Sequence, residues 1–148
     1  MKRLVMVLSL ALVVPSLWSS PLSAQSIVGP ATAKNRGGAV TVEAKYLGTA
    51  TAGAVEALRF EIKLDTHSVN VDQYDLKQLA TLRNDRGVAV KPLSFEKNGS
   101  GHHVQNVLSF PAKDEAGKPV MSGTAKAIEL VLFDIADVPQ RILRWDVK

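Results

Sequence analysis

Leu-Arg-Phe-Glu-Ile-Lys-Leu-Asp-Thr-His-Ser-Val, residues 58–69, is the stretch that decides the fold class of this chain. Its apolar residues, at the even positions from 58 to 64, alternate with charged ones. That two-residue period is typical of a β-strand with one buried face and one face in water. The alternation ends at residues 65–68, whose short polar side chains compete for backbone hydrogen bonds. We therefore predict a strand over residues 57–64, followed by a tight turn that holds His67 at a rim of the fold.

The chain beyond residue 38 predicts further strands separated by turns. Residues 39–46 alternate in the same way, residues 104–110 read as a returning strand, and residues 127–135 are a nearly continuous apolar run typical of a central strand. A turn at residues 84–87 predicts a hairpin, and no long helix is expected. About seven strands in all favour an all-β fold, an immunoglobulin-like antiparallel β-sandwich, with a small β-barrel as the alternative.

Two of the connections between these strands carry further information. Pro92 has no backbone N–H for a strand ladder, which suggests an edge position or a change of strand. Residues 112–126 are polar and contain glycine and proline, and their length suits a crossing from one sheet to the other. The predicted core consists of inward-facing residues from several strands, namely Val40, Val42, Leu58, Phe60, Ile62, Leu64, Leu130, Leu132 and Trp145.

The first 24 residues have the pattern of a secretory signal peptide. Lys2 and Arg3 precede an apolar run over residues 4–14, and small and polar residues follow. A membrane span needs about 20 apolar residues, roughly twice the length of this run. We therefore predict cleavage before Gln25, export to the periplasm or the extracellular space, and no membrane span after cleavage.

The rest of the chain divides into a lead-in and one domain. Residues 25–38 hold glycine, proline and small polar residues, which bury too little apolar surface to offset their ordering entropy. We predict that they are a flexible lead-in. Residues 39–148 are enough for a single β-sandwich domain with its own core and too few for two.

Composition excludes several classes of function. The chain has no cysteine, so thiol redox chemistry, cysteine-ligated metals and a lipid-anchored start are excluded, and the fold must be stable without disulfides. The formal net charge is +4, and subtracting Lys2 and Arg3 with the signal peptide leaves +2, with both signs interspersed. No basic run with interleaved aromatics points to DNA or RNA, and no phosphate-binding glycine motif points to nucleotides.

The three histidines, His67, His102 and His103, are the candidate metal ligands. Neutral imidazole is the commonest transition-metal ligand, and a cysteine-free exported site would suit copper, zinc or nickel. Neighbours on a regular strand point to opposite faces, so His102 and His103 chelate together only if the glycine-rich residues 99–101 leave β geometry. The alternative is structural, with the histidines serving a turn and no metal or cofactor bound. Both interpretations require residues 65–68 to lie close to this loop.

Catalysis has weaker support. Asp65, His67 and Ser68 are the residue types of a hydrolytic triad, but immediate neighbours in one turn rarely reach the required geometry. No nucleophile-elbow motif is present either. We therefore predict that the protein is not an enzyme.

Several segments resemble small exported or membrane-tethered microbial domains, above all Leu-Asp-Thr-His-Ser-Val at residues 64–69 and Gly-His-His at residues 101–103. The resemblance covers residues 40–145 and implies a β-sandwich, without an established activity or site residues. We predict an exported, non-enzymatic binding or accessory domain of the cell envelope, whose loops or sheet edge contact a protein or envelope partner. The alternative is a periplasmic or secreted copper- or zinc-binding protein that uses the histidine cluster.

Overall fold

The computed structural model describes residues 25–148, and the predicted signal peptide over residues 1–24 lies outside them. The described residues contain two short helical turns, a 3-10 turn at Val71–Gln73 and helix α1 at Leu76–Leu79. Neither they nor any other helix in this part of the chain is long and apolar enough to span a membrane. The strands are β1 (Ile27–Val28), β2 (Thr32–Gly37), β3 (Val40–Ala52), β4 (Val55–Thr66), β5 (Ala80–Asn84), β6 (Ala89–Val90), β7 (Ser94–Ser100), β8 (His103–Pro111), β9 (Ala127–Ile135) and β10 (Val138–Val147).

The strands form two five-stranded antiparallel sheets. Sheet I has the order β1-β10-β9-β5-β6, sheet II has the order β2-β3-β4-β8-β7, and one of the two is curled into a half-barrel. The all-β class and the sandwich-like pair of sheets are confirmed. The strand number is ten in the described residues, because several strands are too short or too polar to show the expected pattern.

The core predicted from the strand pattern is confirmed. Leu58, Phe60, Ile62 and Leu64 are each at most 2 % exposed. They lie in one buried cluster with all the other predicted core residues. The Phe60 ring joins the two sheets, because its centroid lies 5.1 Å from that of Trp145 in β10. Apolar burial between the sheets is the main favourable term in a fold without disulfides.

The prediction of a flexible lead-in over residues 25–38 is wrong. β1 pairs with the end of β10, and β2 pairs with β3 along its whole length. The indole N–H of Trp145 also donates to the backbone oxygen of Ala31 at 2.9 Å. These residues bury little apolar surface of their own, and backbone pairing to strands that are already buried holds them in place.

The residues between the strands predicted at 39–46 and 57–64 extend the hairpin of β3 and β4. β3 continues to Ala52 and β4 begins at Val55. The register shifts between Tyr46 and Gly48, so one extra residue lies in β3 as a β-bulge. Such a bulge breaks the two-residue period, and the small residues that follow give no apolar signal.

The sheet crossing predicted for residues 112–126 is confirmed, and Pro92 lies between two edge strands, in agreement with its predicted edge position or change of strand. The chain passes Pro92 between β6, the edge strand of sheet I, and β7, the edge strand of sheet II. Residues 112–126 carry it back from β8 to β9. The hairpin of β5 and β6 also forms, and the Asn84 side chain shapes its turn by accepting hydrogen bonds from the backbone N–H groups of Arg86 and Val88 at 2.9 and 3.0 Å.

Candidate functional site

Two loops meet at one end of sheet II, as both interpretations of the histidines require. Thr66 at the end of β4 donates its backbone N–H to the oxygen of His102 at 3.1 Å. Five residues later, the Val71 N–H donates to the oxygen of Gly101 at 3.2 Å. The loop after β4 is therefore bonded directly to the turn between β7 and β8.

Asp72 fixes the position of that turn. Its carboxylate accepts the backbone N–H of Gly101 at 2.7 Å and pairs with the Lys97 ammonium at 3.1 Å. The hydrogen bond from Gly101, followed by the interaction with Lys97, lowers the pKa of Asp72 below its ordinary value. The side chain is therefore charged at neutral pH and holds the two loops together.

His102 braces the loop. Its Nδ1 lies 3.0 Å from the backbone oxygen of Val69. A carbonyl oxygen only accepts, so the proton of this hydrogen bond sits on Nδ1. Its other contact is the backbone bond to Thr66, so both polar contacts of the residue stabilise the junction of the two loops.

His103 is held by a carboxylate. The register of β4 and β8 places Asp65 directly opposite His103, and the imidazole Nδ1 lies 2.9 Å from Asp65 Oδ1. The two side chains are 68 % and 59 % exposed, respectively. In a neutral ring whose Nδ1 donates to Asp65, Nε2 carries the lone pair and is the nitrogen available to a ligand.

His67 is a further exposed residue at this end, and its ring lies beside that of His103. Its ring centroid lies 6.0 Å from that of His103, with the planes 79° apart. Asp65 engages His103 and not His67, so the triad considered for Asp65, His67 and Ser68 is not assembled. Within residues 25–148 no group of three or more histidine, aspartate or glutamate side chains is placed to hold a metal ion. The structure thus brings His67 and His103 together and directs His102 to Val69.

A polar groove of about 480 Å³ lies beside His103. Its floor is a row of mutually opposed residues that crosses all five strands of sheet II, namely Lys34, Glu43, Lys63, Gln105 and Asn98. Asp65 and His103 line one end. In the sequence this row appears only as the polar half of several alternating strands, which indicates exposure but not which residues lie side by side.

Arg141 is a buried polar centre that the strand pattern did not identify. It is fully buried in β10, and burial lowers its pKa below the ordinary value. Its guanidinium donates to the backbone oxygens of Gly37 at 2.8 Å and Val40 at 3.0 Å. Two further bonds reach the oxygen of Ile135, at 3.1 and 3.3 Å, and one reaches Asn35 Oδ1 at 3.2 Å. Arg141 thereby ties β2 and β3 of sheet II to the hairpin of β9 and β10.

Comparison with known proteins found no matching family, no similar curated protein and no similar solved structure. Function is therefore inferred from the chain's own residues and their geometry.

Proposed function

We propose that this chain is an exported, non-enzymatic binding or accessory domain of the cell envelope, and that the groove on sheet II is its ligand-binding surface. The observation that carries the proposal is the row of Lys34, Glu43, Lys63, Gln105 and Asn98. These side chains extend from five strands whose backbones are fixed by cross-strand pairing, so the surface is formed before a ligand arrives.

The charges of the groove define the kind of ligand. Lys34 and Glu43 lie side by side, 3.3 Å apart, and Lys63 follows in the same row. Alternating signs suit a polar partner that carries both charges, such as an extended protein segment, and do not suit a polyanion. The proposed partner is therefore a protein or another envelope component and not a nucleic acid.

The exposure of His103 and Asp65 supports a non-enzymatic role. This pair is the arrangement in the groove that comes nearest to a general base with its orienting carboxylate. Catalytic electrostatics depend on a site that excludes water, and both of these side chains are more than half exposed. Their geometry suits binding better than proton transfer.

The proposal also includes the type of β-sandwich and the export of the protein. An immunoglobulin-like sandwich is supported by the two antiparallel sheets and by the crossings at Pro92 and at residues 112–126. Export is supported by the signal-peptide pattern of residues 1–24 and by the resemblance to small exported microbial domains.

Amide chemical shifts test the groove. Adding a solubilised envelope extract to the ¹⁵N-labelled mature chain should shift signals of the groove row. The variant Lys63→Glu should lose these shifts, because it replaces an ammonium at the centre of the row. Arg144→Glu changes the same charge on the outer face of sheet I and should retain them. Shifts confined to sheet I would show that the binding surface is elsewhere.

Copper or zinc binding is a second candidate function. The observation in its favour is the closeness of the His67 and His103 rings, 6.0 Å between centroids. Calorimetric titration of the mature chain with Cu(II) and Zn(II) tests it. Stoichiometric binding supports this function, and no heat beyond dilution leaves the groove proposal alone.

A further inference from the structure

We propose that His67 and His103 alone provide the protein ligands of a metal site at the rim of the groove. Asp65 is its positioning residue, and His102 is not a ligand. This inference rests on the second candidate function and deepens it, because it replaces a three-histidine chelate by an open site with two imidazoles.

The distance between the His67 and His103 rings is close to that expected when both bind the same ion. Two imidazoles bound to one metal at about 2 Å with a tetrahedral angle have centroids about 5 Å apart. The observed distance between the His67 and His103 centroids is 6.0 Å. His67 is exposed, so rotation of its side chain can close the difference while His103 keeps its contact with Asp65.

Asp65 selects the ligating nitrogen of His103. The carboxylate accepts the proton of Nδ1, so the lone pair of the neutral ring is on Nε2. A carboxylate behind a metal-binding histidine fixes the ring orientation and makes the ligand more basic, which is the usual outer shell of such sites. Asp65 is therefore placed to raise the metal affinity of His103 without touching the ion.

His102 is already engaged elsewhere. Its Nδ1 is held by the backbone oxygen of Val69, and its own backbone oxygen accepts from Thr66. Bringing this ring to an ion between His67 and His103 would break its hydrogen bond to Val69, one of the contacts that join the two loops. The described chain also offers no third histidine or carboxylate that completes a group around an ion.

The donor set indicates the kind of ion. Two imidazole nitrogens suit Cu(II) or Zn(II), whereas Mg²⁺ and Ca²⁺ prefer oxygen ligands. The remaining coordination positions are open to water or to a donor from another molecule. His103 also lines the groove, so such a donor would approach from the groove side.

Calorimetric titration of the untagged mature chain with Cu(II) and with Zn(II) tests the site. We expect one equivalent of Cu(II) to bind. His67→Ala and His103→Ala should each weaken binding more than tenfold. Asp65→Asn should weaken it about tenfold, within the range of outer-shell substitutions, and Asp65→Glu should restore part of it. The matched control His102→Asn, whose amide N–H can replace Nδ1 as the donor to Val69, should stay within about twofold of the wild type.

Long-range ¹⁵N–¹H spectra of the imidazoles provide a readout that a purely structural role would not change. Zn(II) should shift Nε2 of His103 in the wild type, and Asp65→Asn should change the ring tautomer before any metal is added. Circular dichroism of each variant confirms that it is folded.

The possible failures are distinguishable. Binding that His102→Asn also weakens more than tenfold would overturn the two-imidazole site and leave the metal-binding function standing. Binding that survives both alanine variants would place the ion elsewhere and overturn the site. No binding of either metal by the wild type would overturn both the site and that function, without affecting the groove.

Discussion

Arg141 and the pair of His67 and His103 are two polar centres that differ in how completely their hydrogen-bonding groups are used. A guanidinium has five N–H donors, and those of Arg141 make five hydrogen bonds to oxygens of residues 35–40 and 135. His103 is mostly exposed and is held through Nδ1 by Asp65.

The difference separates a structural polar residue from one suited to binding. A buried charge must find every hydrogen bond within the protein, because an unpaired polar group away from water is costly. Arg141 therefore has no donor left for a ligand. An exposed imidazole whose second nitrogen faces water keeps that capacity at little cost in stability. Residue type alone does not distinguish the two cases, but the set of partners does.

Replacing Arg141 should have the largest effect on stability, and it tests most directly whether this buried residue is structural. Arg141→Ala should lower the free energy of unfolding by about 4 to 5 kcal/mol, because several buried oxygens lose their donors and a cavity remains. Urea denaturation measures it. The control Arg144→Ala removes an exposed arginine that pairs with Glu129 and should cost at most about 1 kcal/mol. A loss below about 1 kcal/mol for Arg141→Ala would mean that water can replace the guanidinium.

Phe60→Ala measures how much a buried apolar side chain contributes to stability, for comparison with the buried Arg141. We expect a loss of about 3 to 5 kcal/mol, the usual range for a buried aromatic ring. The ring contacts both Phe110 and Trp145, so both sheets lose contacts. Val55→Ala, at a position 44 % exposed, is the control and should change stability by less than about 0.5 kcal/mol. Equal losses for the two variants in denaturant would show that the assigned core face is wrong.

Asp72→Asn tests the contacts between the two loops at the end of sheet II, where the Asp72 side chain is partly exposed. The folded pKa of Asp72 is lowered below its ordinary value of 3.8, so the carboxylate's stabilising contribution is complete above that value and is lost as the pH falls through the folded pKa. Wild type should therefore be more stable than Asp72→Asn at neutral pH, and the gap should close in acid. Thermal unfolding across this range measures it, with Glu115→Gln, an exposed carboxylate, as the control. A gap that does not change with pH would rule out the charge as its source.

His67→Ala should have the smallest effect on stability. In metal-free buffer the free energy of unfolding should change by less than about 0.5 kcal/mol, as for most exposed positions. His102→Ala is the matched comparison and should lose about 1 kcal/mol, because it removes the hydrogen bond to Val69. A loss of about 1 to 3 kcal/mol for His67→Ala would identify a structural hydrogen bond in place of a free ligand.

The sequence predicts those strands whose buried residues alternate with exposed ones, or follow one another, along a short stretch of chain. Strand β4 and strand β9 show their buried faces in consecutive residues, so both were predicted close to their observed limits. β1 is only two residues long and pairs with the distant β10, whereas β2 has a polar sequence and pairs with the adjacent β3. Trp145 and Arg141, more than 100 residues away, hold this segment, and no local pattern contains that information.

Arg141 itself carries a weak signal. Leu143, Trp145 and Val147 alternate along β10, and extending the same period by one step places residue 141 on the buried face. An arginine at that position is normally expected in water. Its acceptors are mostly backbone oxygens, which every residue type has and which the sequence therefore does not reveal.

The candidate site was predictable in position but not in its pairings. Strand β4 continues to Thr66, and the bend that follows it does lie against the loop that carries His102 and His103, as both interpretations of the histidines require. Which imidazole Asp65 would bind depends on the register of β4 with β8, and a shift of one residue would change the pair. The role of His102 depends on the backbone oxygen of Val69, which leaves no trace in the side-chain pattern.

The contacts of Arg141 also have a consequence for the order of folding. Its bonds to Asn35, Gly37 and Val40 join residues 101 to 106 positions apart. Closing so long a loop is entropically slow compared with forming the hairpin of β3 and β4 or that of β9 and β10. The guanidinium should therefore dock after the folding barrier, and Arg141→Ala should accelerate unfolding while leaving the folding rate nearly unchanged. The pairing of β1 and the contacts of β2 with Arg141 are therefore completed only when the last strand of the domain is in place.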